Sequence, residues 1–112
     1  MKSLKCVIRP DKLEDLKKGL ADAGIVGMTV SDAKGFGKQK GRTEHYRGAE
    51  YEVSFVPKTI IEVVVADAQV EAAIAKIVEI SRTGQIGDGK IFVSDVLDVI
   101  RIRTGEHGEK AI

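Results

Sequence analysis

The run Ile60-Ile61-Glu62-Val63-Val64-Val65 constrains this chain more than any other segment. β-Branched residues favour a pleated, extended backbone. Here they fall on both sides of the pleat, with Ile61, Val63 and Val65 on one side and Ile60, Val64 and Ala66 on the other. A strand of that kind needs cover on both faces, whereas an ordinary antiparallel sheet leaves one face wet. The last apolar segment, Ile91 to Ile102, repeats the pattern: Ile91, Val93, Leu97 and Val99 oppose Phe92, Val96 and Ile100.

The remaining elements arrange themselves around these two strands. Leu4, Cys6 and Ile8 alternate in a first strand, and a second runs from about Met28 to Phe36. Between them Leu13, Leu16 and Leu20 recur at helical spacing, with Asp11 and Glu14 as a capping box and Gly24 as the left-handed stop. The third strand lies within Glu52 to Ala66. Asp67 then caps a second helix with the stripe Val70, Ala73, Ile74, Ile77 and Val78, ending at Gly84. The order is strand, helix, strand, strand, helix, strand, without an internal sequence repeat. It predicts an α+β ferredoxin-like sandwich (βαββαβ), an antiparallel sheet with two helices on one face. Helices cover only one side, so the other apolar face is expected to pack on further subunits of a symmetric oligomer.

Composition bounds the rest. A chain of 112 residues and 12.1 kDa is expected to form a single domain over 1–112. Eighteen Lys and Arg against seventeen Asp and Glu give a net charge of +1, which argues against nucleic acid or an anionic membrane as the main partner. The lone Cys6 excludes an intramolecular disulfide and a multi-cysteine zinc site, and reads as an inert core thiol. No apolar run is long enough to span or insert into a membrane, and Met1 to Lys5 lacks a secretory pattern, so a cytoplasmic protein is expected. His45 and His107 have no third ligand nearby, and no serine sits in a nucleophile context. Lys12, Asp15, Lys17 and Lys18 read as the solvated face of the first helix.

Three segments carry chemistry. The long loop between the second and third strands, placed at 37–55, is polar, punctuated by glycine and holds both tyrosines, Tyr46 and Tyr51. It is either a solvated insertion or a surface that docks on partners and is modified at a tyrosine. The segment 82–90 contains Gly84, Gly87, Gly89 and Lys90, either a plain helix-to-strand turn or a cradle of backbone N–H groups for an anion. It satisfies the spacing G-x-x-x-x-G-K, yet Ile91 stands where a magnesium-holding hydroxyl belongs and the segment enters a strand instead of a helix. It is not a P-loop. A second G-x-G at Gly35-Phe36-Gly37, with Lys38, Lys40, Lys58, Arg101 and Arg103, favours the anion reading. The third segment opens the basic C-terminal stretch 101–112. Strand alternation would point Arg101 and Arg103 to one side, as a polyphosphate site or as two surface arginines paired with carboxylates. Two rivals share the topology. An RNA-recognition module would need stacking aromatics, which are only 4% here. A small phosphotransferase or acylphosphatase would need a base beside the glycine loop, where Asp88 is the sole candidate and can equally just shape the turn.

Tyr46-Arg47-Gly48-Ala49-Glu50-Tyr51 and Thr83-Gly84-Gln85-Ile86-Gly87-Asp88-Gly89-Lys90-Ile91-Phe92-Val93 resemble the two signature segments of the PII nitrogen-regulatory signal-transduction proteins. The likeness extends over essentially the whole chain, including Gly35 to Gly41 and Arg101 to Glu106. It implies a homotrimer that senses ATP or ADP and 2-oxoglutarate in clefts between subunits, with no enzymatic activity. Carried over, Gly87, Gly89 and Lys90 would cradle the phosphates, and Arg101 and Arg103 would counter their charge. Gly35, Gly37 and Lys38 would line the cleft, and Thr29, Glu62 and Val64 would face the adenine or ribose. Gln39 would coordinate Mg²⁺ with ATP and belong to the 2-oxoglutarate site, where Lys58 would pair with a carboxylate. Tyr51 matches the tyrosine that many bacterial members carry uridylylated, while Ala49 stands where cyanobacterial relatives place a phosphorylated serine. The implied partners are a uridylyltransferase, an adenylyltransferase, a nitrogen-sensing histidine kinase or an ammonium channel.

Overall fold

The computed structural model describes residues 1–37, 42–46, 49–53 and 55–112, with 42–46 and 49–53 as backbone only. Four strands form one antiparallel sheet in the order β2-β5-β1-β6: β1 (Lys2–Ile8), β2 (Thr29–Gly35), β5 (Val56–Val65) and β6 (Lys90–Asp95). A separate hairpin pairs β3 (Arg42–Tyr46) with β4 (Ala49–Val53) between β2 and β5. Helices α1 (Leu13–Asp22) and α2 (Val70–Ser81) lie on one face of the four-stranded sheet. This is the expected ferredoxin-like sandwich.

Register follows from period-2 alternation. Cys6 lies opposite Ile61 on one side and Ile91 on the other, and Leu4 opposite Val63 and Val93. Leu4, Cys6, Ile8, Ile61, Val63 and Val65 are buried against Leu16, Leu20, Ala73 and Ile77 of the helices. Burial pushes the Cys6 thiol up to about 11, so it stays protonated and inert at neutral pH. Gly19 lets α2 pack close to α1, since a Cβ there would overlap Ile80 Cδ1. The opposite sheet face carries Val7, Ile60, Val64 and Phe92, with no element of this chain over them among the described residues. Phe92 is 54% exposed.

Local signals were read with mixed success. Gly24 ends α1 at φ 85°; its N–H donates to the Ala21 carbonyl, and the next N–H, of Ile25, to the Leu20 carbonyl. That is the paired-bond helix stop expected of a glycine there. Neither expected cap forms. Pro10–Lys12 winds a 3₁₀ turn ahead of α1, and no side chain caps α1. Before α2 a second 3₁₀ turn, Asp67–Gln69, intervenes; Gln69 Oε1 accepts from Ala66 N–H at 3.2 Å, and the Asp67 carboxylate holds the Met1 ammonium at 2.9 Å instead of capping α2. The helix stops at Ser81, short of Gly84, because Arg82 turns to extended backbone.

The last strand is also shorter than expected. Its pairing ends at Lys2↔Asp95 because the neighbouring strand begins there, and Val96 N–H takes the Met1 carbonyl as the final rung. Beyond it the chain folds back on itself. Ile100 bridges His107, Gly105 N–H donates to the Arg101 carbonyl, and the Asp98 carboxylate gathers the N–H groups of Val99 and Gly108 with His107 Nδ1. The His107 contact holds the Asp98 carboxyl below the usual range. Arg101 and Arg103 therefore sit in a turn, and the strand alternation that put them on one side does not apply.

Candidate functional site

A cleft of about 620 Å³ opens where the C-terminal end of β2, the start of β5 and the glycine loop meet. Gly35, Gly37, Lys58, Gly87, Gly89 and Lys90 all line it, so six of the residues singled out in sequence come together. Antiparallel register explains half of this. Gly35 pairs with Val56, and Lys58 lies two positions along β5 on the uncovered face. Lys90 opens β6 opposite Val7. The other half is the loop between α2 and β6, which folds back over the same end of the sheet.

That loop is shaped by three left-handed glycines, Gly84, Gly87 and Gly89, at φ 87°, 104° and 98°. Gly89 has a second reason to be glycine, because a Cβ would drive into the Val7 carbonyl. The loop is pinned by Asp88. Its carboxylate accepts from Thr83 N–H at 2.8 Å, Gly84 N–H at 2.9 Å, Arg9 Nε at 3.1 Å and the Thr83 hydroxyl. These donors hold the Asp88 carboxyl far below the ordinary carboxylate range. With four donors on its two oxygens, the carboxylate shapes the turn, the second of the two roles the sequence left open for it.

Lys58 is 9% exposed, and its Nζ donates to the Gly87 carbonyl at 2.6 Å. Burial and then the Arg9 charge push its pKa down, while Asp88 opposes them. An ammonium is a charge-assisted donor suited to carboxylate or phosphate oxygens. Its stem packs against Gly35, where an added Cβ would come within 3.1 Å of Lys58 Cγ. Phe36 and Phe55 meet edge to face at 6.4 Å where the β3–β4 hairpin leaves the sheet. Neither they nor Arg9 emerged from the sequence as site residues. The arginine's signal was slight: a long cation followed by Pro10 at the end of the first strand.

The other sequence-derived residues are elsewhere. Thr29 pairs with Glu62 on the uncovered face, at the far end of β2 and β5 from the cleft, with Val64 beyond them. Arg101 does not line the cleft; its guanidinium donates to Glu106 at 3.0 Å and to the Lys110 carbonyl at 2.8 Å. Arg103 lies in the adjacent turn, also outside the cleft. Lys38, Gln39 and the Tyr51 side chain lie outside the described residues. Among the described residues no cluster of His, Cys, Asp and Glu is arranged to hold a metal, and no helix is long and apolar enough to cross a membrane.

Comparison with known proteins covers essentially the whole chain. Residues 1–106 match the family model described as nitrogen regulatory protein P-II. The nitrogen regulatory protein P-II of Pasteurella multocida is 58% identical over 112 residues, covering all of both chains. Those of Nostoc punctiforme (P-II) and Escherichia coli K12 (P-II 1) are each 56% identical, again end to end. The chain belongs to the nitrogen regulatory P-II family, and is with it a non-enzymatic signal transducer of nitrogen regulation.

Proposed function

We propose that the cleft is one wall of an intersubunit site in which a homotrimer senses ATP or ADP together with Mg²⁺ and 2-oxoglutarate, ligands that the family binds. The observation that carries this is the junction of the glycine loop with Lys58: one contact, Nζ to the Gly87 carbonyl, links a phosphate cradle to a buried cation. In this reading Gly87, Gly89 and Lys90 receive the phosphates, with Gly35, Gly37 and Lys38 beside them. Gln39 holds Mg²⁺, and Lys58 pairs with a carboxylate of 2-oxoglutarate. Thr29, Glu62, Val64, Arg101 and Arg103 do not line that cleft. They act from a neighbouring subunit on the base, ribose and phosphates of the same nucleotide. The apolar face around Ile60, Val64 and Phe92 supports such an assembly.

The output is the segment 37–55. An effector that favours one arrangement of it shifts the population by its differential affinity. Moving such an equilibrium from 1:99 to 99:1 takes about 5.5 kcal/mol. A few charge-assisted hydrogen bonds of about 1.5–3 kcal/mol each are enough. Its partners are a uridylyltransferase acting on Tyr51, an adenylyltransferase, a nitrogen-sensing histidine kinase or an ammonium channel, all met in the cytoplasm. Calorimetric titration of ATP with and without 2-oxoglutarate and Mg²⁺ tests the reading. Each ligand is expected to tighten the other by the same factor. Independent binding of the two, or none, overturns it.

A further inference from the structure

A carboxylate in the middle of an anion-binding loop is an electrostatic liability, and the structure shows how it is managed. Asp88 lies between Gly87 and Gly89, where it would repel a phosphate. Arg9 reaches it from the end of β1. Pro10 confines the residue before it to extended backbone, and Arg9 has φ −64° and ψ 137°. Its side chain is thereby launched toward the glycine loop, where Nε donates to Asp88 Oδ1 at 3.1 Å and a terminal nitrogen donates to the Ile86 carbonyl at 2.9 Å. Both side chains are 23% exposed, so the pair is shielded from bulk water more than a surface bridge is.

The second bond has a directional consequence. In a trans peptide the carbonyl of one residue and the N–H of the next point opposite ways. Arg9 holding the Ile86 carbonyl therefore turns Gly87 N–H away from itself. Lys58 holding the Gly87 carbonyl turns Asp88 N–H away from its own ammonium. Two cations thus fix two successive peptide planes, and one of them also offsets the carboxylate between.

We propose that Arg9 is a positioning residue for phosphate binding: through Ile86 and Asp88 it sets the form of the glycine loop that offers Gly87 N–H, and it offsets the Asp88 charge. The proposal rests on the nucleotide reading above and adds a residue that sequence reasoning did not assign. The test uses the full chain, titrated calorimetrically with ATP, ADP and AMP. Arg9→Gln is expected to weaken ATP about tenfold, ADP less and AMP under about twofold, on the scale of one charge-assisted hydrogen bond. Arg9→Lys, which keeps the charge without the fork, should recover part of the ATP loss. In an Asp88→Asn background the effect of Arg9→Gln on ATP should shrink to under about threefold, the mark of residues that act together. Equal losses for all three nucleotides, or an undiminished loss in that background, overturn the proposal.

A second measurement needs no ligand. Amide hydrogen exchange at Thr83 and Gly84 should accelerate at least about tenfold in Arg9→Gln while Leu4 and Ile61 keep their rates, as local opening requires. Unchanged exchange in the loop overturns the positioning role. Wild-type protein that binds no ATP would overturn the sensor reading instead, and the exchange rates would still decide whether Arg9 holds the loop.

Discussion

At 9% exposure, Lys58 keeps an ammonium group where burial disfavours its charge, and it offers that group to a backbone carbonyl. Lys58→Ala is therefore expected to weaken 2-oxoglutarate by about 100-fold, the scale of a truncated, buried charge pair. ATP measured alone should change by only a few-fold. Calorimetry on the two ligands separately checks this, and equal losses would sink it. Asp88 gives a pH prediction. Its folded pKa is depressed, so the stability it adds is present above its unfolded value, near about 4, and is lost as pH falls toward the folded one. The melting temperature of Asp88→Asn should lie below wild type at pH 7, and the gap should narrow progressively as pH falls below about 4. A gap that does not narrow as pH falls would show that the carboxylate's charge is not what holds Thr83 and Gly84. Cys6 was legible as a core thiol because alternation alone placed it. Asp88 was legible as a residue that shapes its turn, but its partner Arg9 was not, because that role depends on residues 79 positions apart meeting in space.

Elements were legible where one periodicity governed them. The stripe Ala73 and Ile77, and the alternation Ile61, Val63, Val65, read directly as buried faces. Ends were harder, because a strand stops where its neighbour does. Nothing within Val96 to Ile102 announces that the strand beside it has run out at Lys2. For the same reason the arginines at 101 and 103 looked like strand residues. The glycine loop separates two kinds of glycine requirement. Gly84→Ala meets open space and only the cost of a left-handed alanine, about 1–2 kcal/mol. Gly89→Ala adds a collision with the Val7 carbonyl and should cost more than about 3 kcal/mol and most of the nucleotide affinity. Urea denaturation of the two variants checks the order. Equal costs would mean that the loop yields where it touches β1.

At the scale of the whole molecule, the uncovered sheet face was legible from the two-sided strands, since no helix was left over to cover it. What the sequence of one chain could not supply was which of the candidate residues share one cleft within the chain. Thr29, Glu62 and Val64 look no different in sequence from residues of the local cleft, and only the register shows them at the other end of the sheet. Sedimentation is expected to give about three times the 12.1 kDa chain mass. Phe92→Asp should release monomers and abolish ATP binding together, because a charge on the buried core of an interface is not tolerated. Monomers that still bind ATP would locate the whole site within one chain.

The contact of Gly89 with the Val7 carbonyl reaches further. Val7 is itself a rung of the ladder, opposite both Ile60 and Lys90. A side chain at position 89 would therefore press on a paired rung, and in the proposed reading this loop serves as the fixed side of the cleft. If the nucleotide reading holds, a difference between triphosphate and diphosphate is expected to be read out through the segment after Gly37 and not through this loop. An inhibitor shaped to the stationary side alone would occupy the molecule without telling it anything.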